Sequence, residues 1–249
     1  MREWDMDASV AALVEAHRTG VLIEALPRTP SGPDEAHAIQ DEVIARLGVE
    51  VGGFKASIPK DAPPKRALIQ APMIRQSPAH MTPEEAPHRG VEAEIVFRFT
   101  RDFPPRPEPY AREEIAAGVS ALPGIEVVSS RFREPLARPP LEQMADAIIN
   151  GGLVLGPETA DWSGLDLARL HVRLEVNGET LVDRQGGHPT NDPLGIAVAL
   201  VEMMRTGAGV RTGQVVATGS WSGMPFLKPG DHCVATFEGL GTAEVTFSA

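Results

Sequence analysis

Helical periodicity is concentrated in the first fifty residues of this chain and strand-like alternation in most of the remainder, with no regular βαβ alternation. That segregation restricts the architecture to α+β with a largely antiparallel or mixed β core. Residues 8–19 read as a helix with Asp7 as N-cap, Val10, Leu13, Val14 and His17 on one face, and Gly20 beyond the end. A second helix is predicted over 34–47, entered at Pro33, with Ile39, Val43 and Leu47 on one face and Gly48 as its stop. Val51–Ser57 reads as a strand entered through the glycine pair Gly52-Gly53. The proline-rich stretch 58–90 reads as a long ordered loop with one short helical turn near 66–70. A strand from Val91, a helix near 110–121 and a strand over 124–129 follow, and 131–145 reads as irregular. Beyond 151 the pattern is mostly β. It includes a hairpin at Asn177-Gly178, a helix over 192–206 capped by Asn191 or Asp192, and strands near 214–219, 232–238 and 242–248.

Within that β-rich portion one strand carries an anomaly. In Val91-Glu92-Ala93-Glu94-Ile95-Val96-Phe97 the period of two points both carboxylates to one side and the apolar residues to the other. Most Glu-x-Glu pairs are the solvated face of a half-exposed strand. A third acid, Glu126, has no such explanation, because Ile125, Val127 and Val128 flank it in an apolar run. Like charges held side by side repel unless a cation lies between them. Three oxygen donors suit a hard divalent ion such as Mg²⁺, with positions left for substrate and water.

The chain has only four lysines against nineteen arginines. Lys55, after Gly52-Gly53-Phe54, reads either as a surface residue at a strand end or as a cation facing the same cleft. Thr218-Gly219-Ser220 reads as a turn that presents donors to an oxyanion, or simply as a loop. The histidines lack zinc-protease spacing, and His88 and His188 read as solvated loop residues. Cys233, the only cysteine, reads as an inert buried thiol and leaves no disulfide framework. No dinucleotide or P-loop glycine pattern occurs. The net charge of −11 argues against nucleic acid or an anionic membrane as partner. With no run of eighteen apolar residues and charges throughout the first ten, the expected location is the cytoplasm.

Taken in order, several segments are similar to the 2-keto-4-pentenoate hydratase and 4-oxalocrotonate decarboxylase family of the fumarylacetoacetate hydrolase superfamily. They are Glu35–Gln40, Gly53-Phe54-Lys55, Val91–Ile95, Glu126–Arg131, Asp146 with Asn150–Gly156, Thr218-Gly219-Ser220 and Lys228–Asp231. The resemblance implies a mixed β-roll core of the superfamily's C-terminal-domain type with flanking helices. It divides the chain into an N-terminal helical layer with the lysine strand (1–60) and a metal-binding mixed-β catalytic domain (61–249), or makes it one continuous domain. It also implies Mg²⁺ or Mn²⁺ on Glu92, Glu94 and Glu126, catalysis by Lys55, and substrate contacts from Ser130, Arg131, Thr218 and Ser220. The implied substrate is a small anionic 2-oxo or 2-hydroxy-dienoic acid from aromatic-compound catabolism, to which the enzyme adds water. The alternatives are a decarboxylase for 2-oxo-enedioates, or a non-catalytic partner subunit. Homo-oligomers, and association with a related decarboxylase or hydratase, are implied as well. Two positions depart from the family pattern: Ser129 stands where an aspartate is usual, and residues 67–74 offer only Gln70 where an acidic residue is usual.

Overall fold

The computed structural model describes residues 3–249. Helix α1 spans Glu3–Thr19 and α2 Pro33–Leu47. Because α1 starts at Glu3, Asp7 lies inside the helix instead of capping it, and it pairs with Arg46 at the far end of α2. The α2 boundaries fall as expected. Pro33 opens the first turn, and Gly48, at φ 67°, closes the last by donating to the Ile44 and Ala45 carbonyls. Val10, Leu13 and Val14 of α1 pack on Ala36, Ile39 and Val43 of α2 and on Met144 and Ala145 of α4 (Pro140–Ala145), forming a separate helical core.

The strands are β1 (Val51–Ser57), β2 (Lys65–Gln70), β3 (Ile74–Gln76), β4 (Ala79–Met81), β5 (Gly90–Phe99), β6 (Val119–Val128), β7 (Asn150–Leu155), β8 (His171–Val176), β9 (Glu179–Gln185), β10 (Val215–Ala217), β11 (His232–Phe237) and β12 (Gly241–Phe247). Helices α3 (Arg112–Ala116) and α5 (Pro193–Met204) complete the set. Seven strands form a mixed sheet in the order β2-β1-β10-β5-β6-β7-β3, and five form a second in the order β4-β12-β11-β8-β9. The larger sheet curls so that β2, at one edge, comes back against β7 near the other.

Three expectations fail here. The stretch 58–90 is not one loop, because it contributes β2, β3 and β4, and residues 65–70 are strand, not helix. The helix near 110–121 stops at Ala116, because β6 already begins at Val119. Residues 131–145, read as irregular, include the short α4.

The two faces of the curled sheet have different cores. Its convex face, with Phe54, Val91, Ile95, Phe97, Ile125 and Val127, packs on the five-stranded sheet and α5 in the main hydrophobic core. Its concave face holds a smaller apolar plug made of Ile69, Val96, Leu122, Leu153, Leu155, Val215 and Ala217. The alternation that sends Phe97 and Ile95 outward sends Val96, Glu94 and Glu92 inward. Among the described residues no helix is long and apolar enough to cross a membrane.

Candidate metal centre

Beyond the plug, the concave face turns from apolar to charged. Strands β5 and β6 pair antiparallel with Glu92 directly opposite Glu126 and Glu94 opposite Gly124. A directly opposed pair of carboxylates is repulsive, and the third acid adds to that. One ligand oxygen from each of Glu92, Glu94 and Glu126 lies within 4.8 Å of the other two. Glu94 and Glu126 are fully buried, while the Glu92 side chain keeps 13% of its exposure. Gly124 helps make this space, since a Cβ there would lie 2.6 Å from a Val96 methyl.

The neighbours divide the six oxygens unequally. Glu126 Oε1 accepts from Lys55 Nζ at 2.8 Å and from Asn150 Nδ2 at 3.0 Å, and Lys55 also lies 3.5 Å from Glu92. Glu94 Oε2 accepts the Gly219 N–H at 2.8 Å, from a backbone at φ 113° that favours glycine. Glu94 Oε1 and Glu126 Oε2 are buried with no hydrogen-bond partner. Uncompensated buried carboxylate oxygens are costly, so a cation is the chemistry this donor set fits. All-oxygen ligation, two vacant acceptors and one partly open carboxylate suit Mg²⁺ or Mn²⁺ better than a soft metal.

The charges respond accordingly. Burial, then repulsion from Glu126 and Glu92, pushes the Glu94 carboxyl well above the usual carboxylate range. Glu92 is raised as well, chiefly by burial, against the pull of Lys55. Burial disfavours the Lys55 charge, but Glu126, Glu92 and Glu94 outweigh it and hold the ammonium more firmly protonated than usual.

Residues 59–248 match the family described as fumarylacetoacetate (FAA) hydrolase, C-terminal. The chain belongs to that family. A 2-keto-4-pentenoate hydratase of Burkholderia vietnamiensis is 31% identical over 97% of both chains. A 4-oxalocrotonate decarboxylase of Pseudomonas putida is 27% identical over 64% of this chain and 60% of its own length. Among solved structures, the 4-oxalocrotonate decarboxylase of Pseudomonas putida G7, complexed with magnesium and adipate, superposes with a TM-score of 0.81 at 20% identity, covering 99% of this chain and 98% of its own. The α+β architecture with a mixed β-roll core and flanking helices is thus the fumarylacetoacetate hydrolase fold, and the hydratase and decarboxylase relatives make this family member an enzyme of lyase type.

Of the residues predicted from sequence, Glu92, Glu94, Glu126 and Lys55 converge, with the Thr218–Ser220 turn beside them. The Thr218 hydroxyl is buried and donates to the Ile95 carbonyl at 2.7 Å, which ties the turn to β5. Ser220 lies close enough to Glu92 to favour its charged form. Ser130 and Arg131 are drawn elsewhere. The Ser130 hydroxyl and the Arg131 backbone N–H share Asp146 Oδ2, at 2.5 and 3.0 Å. The Arg131 guanidinium donates to Asp146 Oδ1 and to the Asp146 and Asn150 carbonyls. This knot braces a backbone oddity: Ala147, Ile148 and Ile149 all adopt left-handed φ, at 52°, 51° and 56°. Such conformations cost roughly 1–3 kcal/mol each outside glycine. The turn delivers Asn150 to Glu126.

Three residues that hold the site were not assigned to it from sequence. Asn150 carried a signal, as a carboxamide entering an apolar strand. Ser222 accepts the Ala93 N–H at 2.9 Å. His188, expected to be solvated, is buried; it donates to the Thr218 carbonyl at 2.8 Å and packs on Trp221, and burial lowers its pKa. His88 is likewise engaged, with the Ser129 hydroxyl and the Arg133 carbonyl. Cys233 is buried as expected, and burial pushes its thiol up to about 12.

Proposed function

We propose that this protein is a divalent-metal-dependent hydro-lyase that adds water to 2-hydroxy-dienoic acids of the 2-hydroxypenta-2,4-dienoate type. The observation that carries the reading is the buried trio Glu92, Glu94 and Glu126, with two unpartnered oxygens, beside the Lys55 ammonium. The full-length hydratase relative supplies the reaction class. When bound by the trio, Mg²⁺ or Mn²⁺ supplies a Lewis acid for the C1 carboxylate and C2 oxygen of the substrate.

The chain's own residues do the rest. Lys55 presents a fixed cation where negative charge develops on the C2 oxygen, and stabilisation at that point lowers the barrier. Because the acids hold it protonated, Lys55 acts as an electrostatic stabiliser and proton donor, not as the resting base. Asn150 and Lys55 together saturate Glu126 Oε1 and so aim its other oxygen. Gly219 does the same for Glu94, and the Thr218–Ser220 turn closes that side. The dienol tautomerises to the enone, which takes up water at C4 to give the 4-hydroxy-2-oxo acid.

The test is the loss of dienol absorbance with purified protein, Mg²⁺ and 2-hydroxypenta-2,4-dienoate. Turnover should require Mg²⁺, and Glu126→Gln should lower it about 10³-fold. Turnover indifferent to chelation, or none at all, would refute the reading.

A further inference from the structure

A single peptide unit links a buried histidine to a carboxylate of the metal centre. The Thr218 carbonyl and the Gly219 N–H are the two ends of one planar amide. Its N–H donates to Glu94 Oε2 at 2.8 Å, and its carbonyl accepts from His188 Nε2, also at 2.8 Å. His188 therefore grips the amide on the side remote from the acid. Because the amide is rigid, neither bond can turn without the other.

The rest of the turn is tied to β5 by other means. The Thr218 hydroxyl donates to the Ile95 carbonyl, the Trp221 N–H donates to the Ala93 carbonyl at 2.8 Å, and the Ser222 hydroxyl accepts the Ala93 N–H. These bonds bracket Glu94 along the strand, but none of them sets the rotation of the 218–219 amide. Gly219 does not set it either. Its φ of 113° suits glycine, and a Cβ there would meet nothing closer than 3.6 Å, so the residue is present for its freedom and not for room. Turned over, the amide would aim a carbonyl oxygen at the carboxylate. Glu94 would then lose its only hydrogen-bond donor among the described residues.

His188 is itself arranged to donate from Nε2. It opens a tight turn closed by the Asn191 N–H on the His188 carbonyl at 3.1 Å. Inside that turn the Thr190 N–H donates to Nδ1 at 3.3 Å, much as an Asx side chain takes a turn amide. With Nδ1 engaged as an acceptor, the one ring proton of the neutral imidazole lies on Nε2, facing Thr218. The residue is 3% exposed and packs on Trp221, which keeps water from competing for the carbonyl.

We infer that His188 is a positioning residue for the metal centre: it fixes the 218–219 amide with its N–H on Glu94 Oε2, so that Glu94 Oε1 is left for the ion. This rests on the metal-centre reading above and extends it to a residue that touches none of the three acids. A histidine that merely filled space beside Trp221 would be replaceable by an apolar side chain at no cost to ion binding.

The experiment is calorimetric titration of the full-length protein with Mg²⁺, in wild type and three variants. His188→Leu, which has no donor, should bind Mg²⁺ about tenfold more weakly. His188→Gln carries an N–H at similar reach and should stay within about threefold of wild type. Phe237→Leu loosens the same aromatic cluster, so it should lower the unfolding temperature and leave Mg²⁺ affinity unchanged. Wild-type affinity in His188→Leu overturns the inference, and so does an equal loss in Phe237→Leu or in His188→Gln. Should His188→Leu fail to fold, nitrogen NMR of the wild-type imidazole decides: a proton on Nε2 supports the role, and one on Nδ1 overturns it. If wild type itself does not bind Mg²⁺, the metal-centre reading falls and takes this inference with it.

Discussion

The two faces of the β5–β6 pair share one backbone and one register yet follow opposite design rules. Outward, Ile95, Phe97, Ile125 and Val127 are fully buried against apolar neighbours, and each contributes to stability. Inward, Glu92 and Glu126 face each other across the same ladder, with Glu94 beside them, and the arrangement costs stability until a cation arrives. A period of two is enough to separate them, so chemistry and folding are edited independently along a single strand.

That contrast can be broken most directly by comparing one residue from each face. Phe97→Ala should destabilise the protein by about 3–5 kcal/mol in urea unfolding, with or without Mg²⁺. Glu94→Gln should do the reverse: the metal-free protein should unfold at a slightly higher temperature, and Mg²⁺ should no longer raise it. A loss of stability in metal-free Glu94→Gln comparable to that in Phe97→Ala would make the inner face structural. A smaller effect tests how the inner face is held. Asn150→Ala should weaken Mg²⁺ binding by roughly tenfold, measured by calorimetry, since Glu126 then loses one of the two donors that aim it. The smallest effect is in pH dependence. The raised Glu94 and Glu92 carboxyls retain protons that an incoming ion must displace, so Mg²⁺ affinity should strengthen as pH rises above the ordinary carboxylate range. Calorimetry in buffers of different ionisation enthalpy would read the released protons, and affinity that is flat with pH would contradict the raised carboxyls.

The same contrast explains what could be read from sequence. The Glu92 strand and the Asn177-Gly178 hairpin were legible because period-two alternation and a turn dipeptide are local signals. Strand β6 was legible only from Gly124 onward. Pro123 sits inside it, paired with Ile95, and a proline in mid-strand argues against a strand in any local reading. Strands β2, β3 and β4 lie among prolines, and β3 and β4 are only three residues long and are defined by partners far along the chain, β7 and β12. The trio and Lys55 announced themselves as acids and a rare lysine in apolar or glycine-rich surroundings. The knot of Ser130, Arg131 and Asp146 did not, because nothing local shows that an arginine's donors are committed to a neighbouring turn.

The left-handed passage through Ala147, Ile148 and Ile149 keeps its strain because the helical core grips it: Ile148 packs against that core. Glycine at Ile148 would relax the backbone but give up that grip. The slack would unfasten the mount from which Asn150 steadies its carboxylate, so the relaxed variant should be the poorer ion trap.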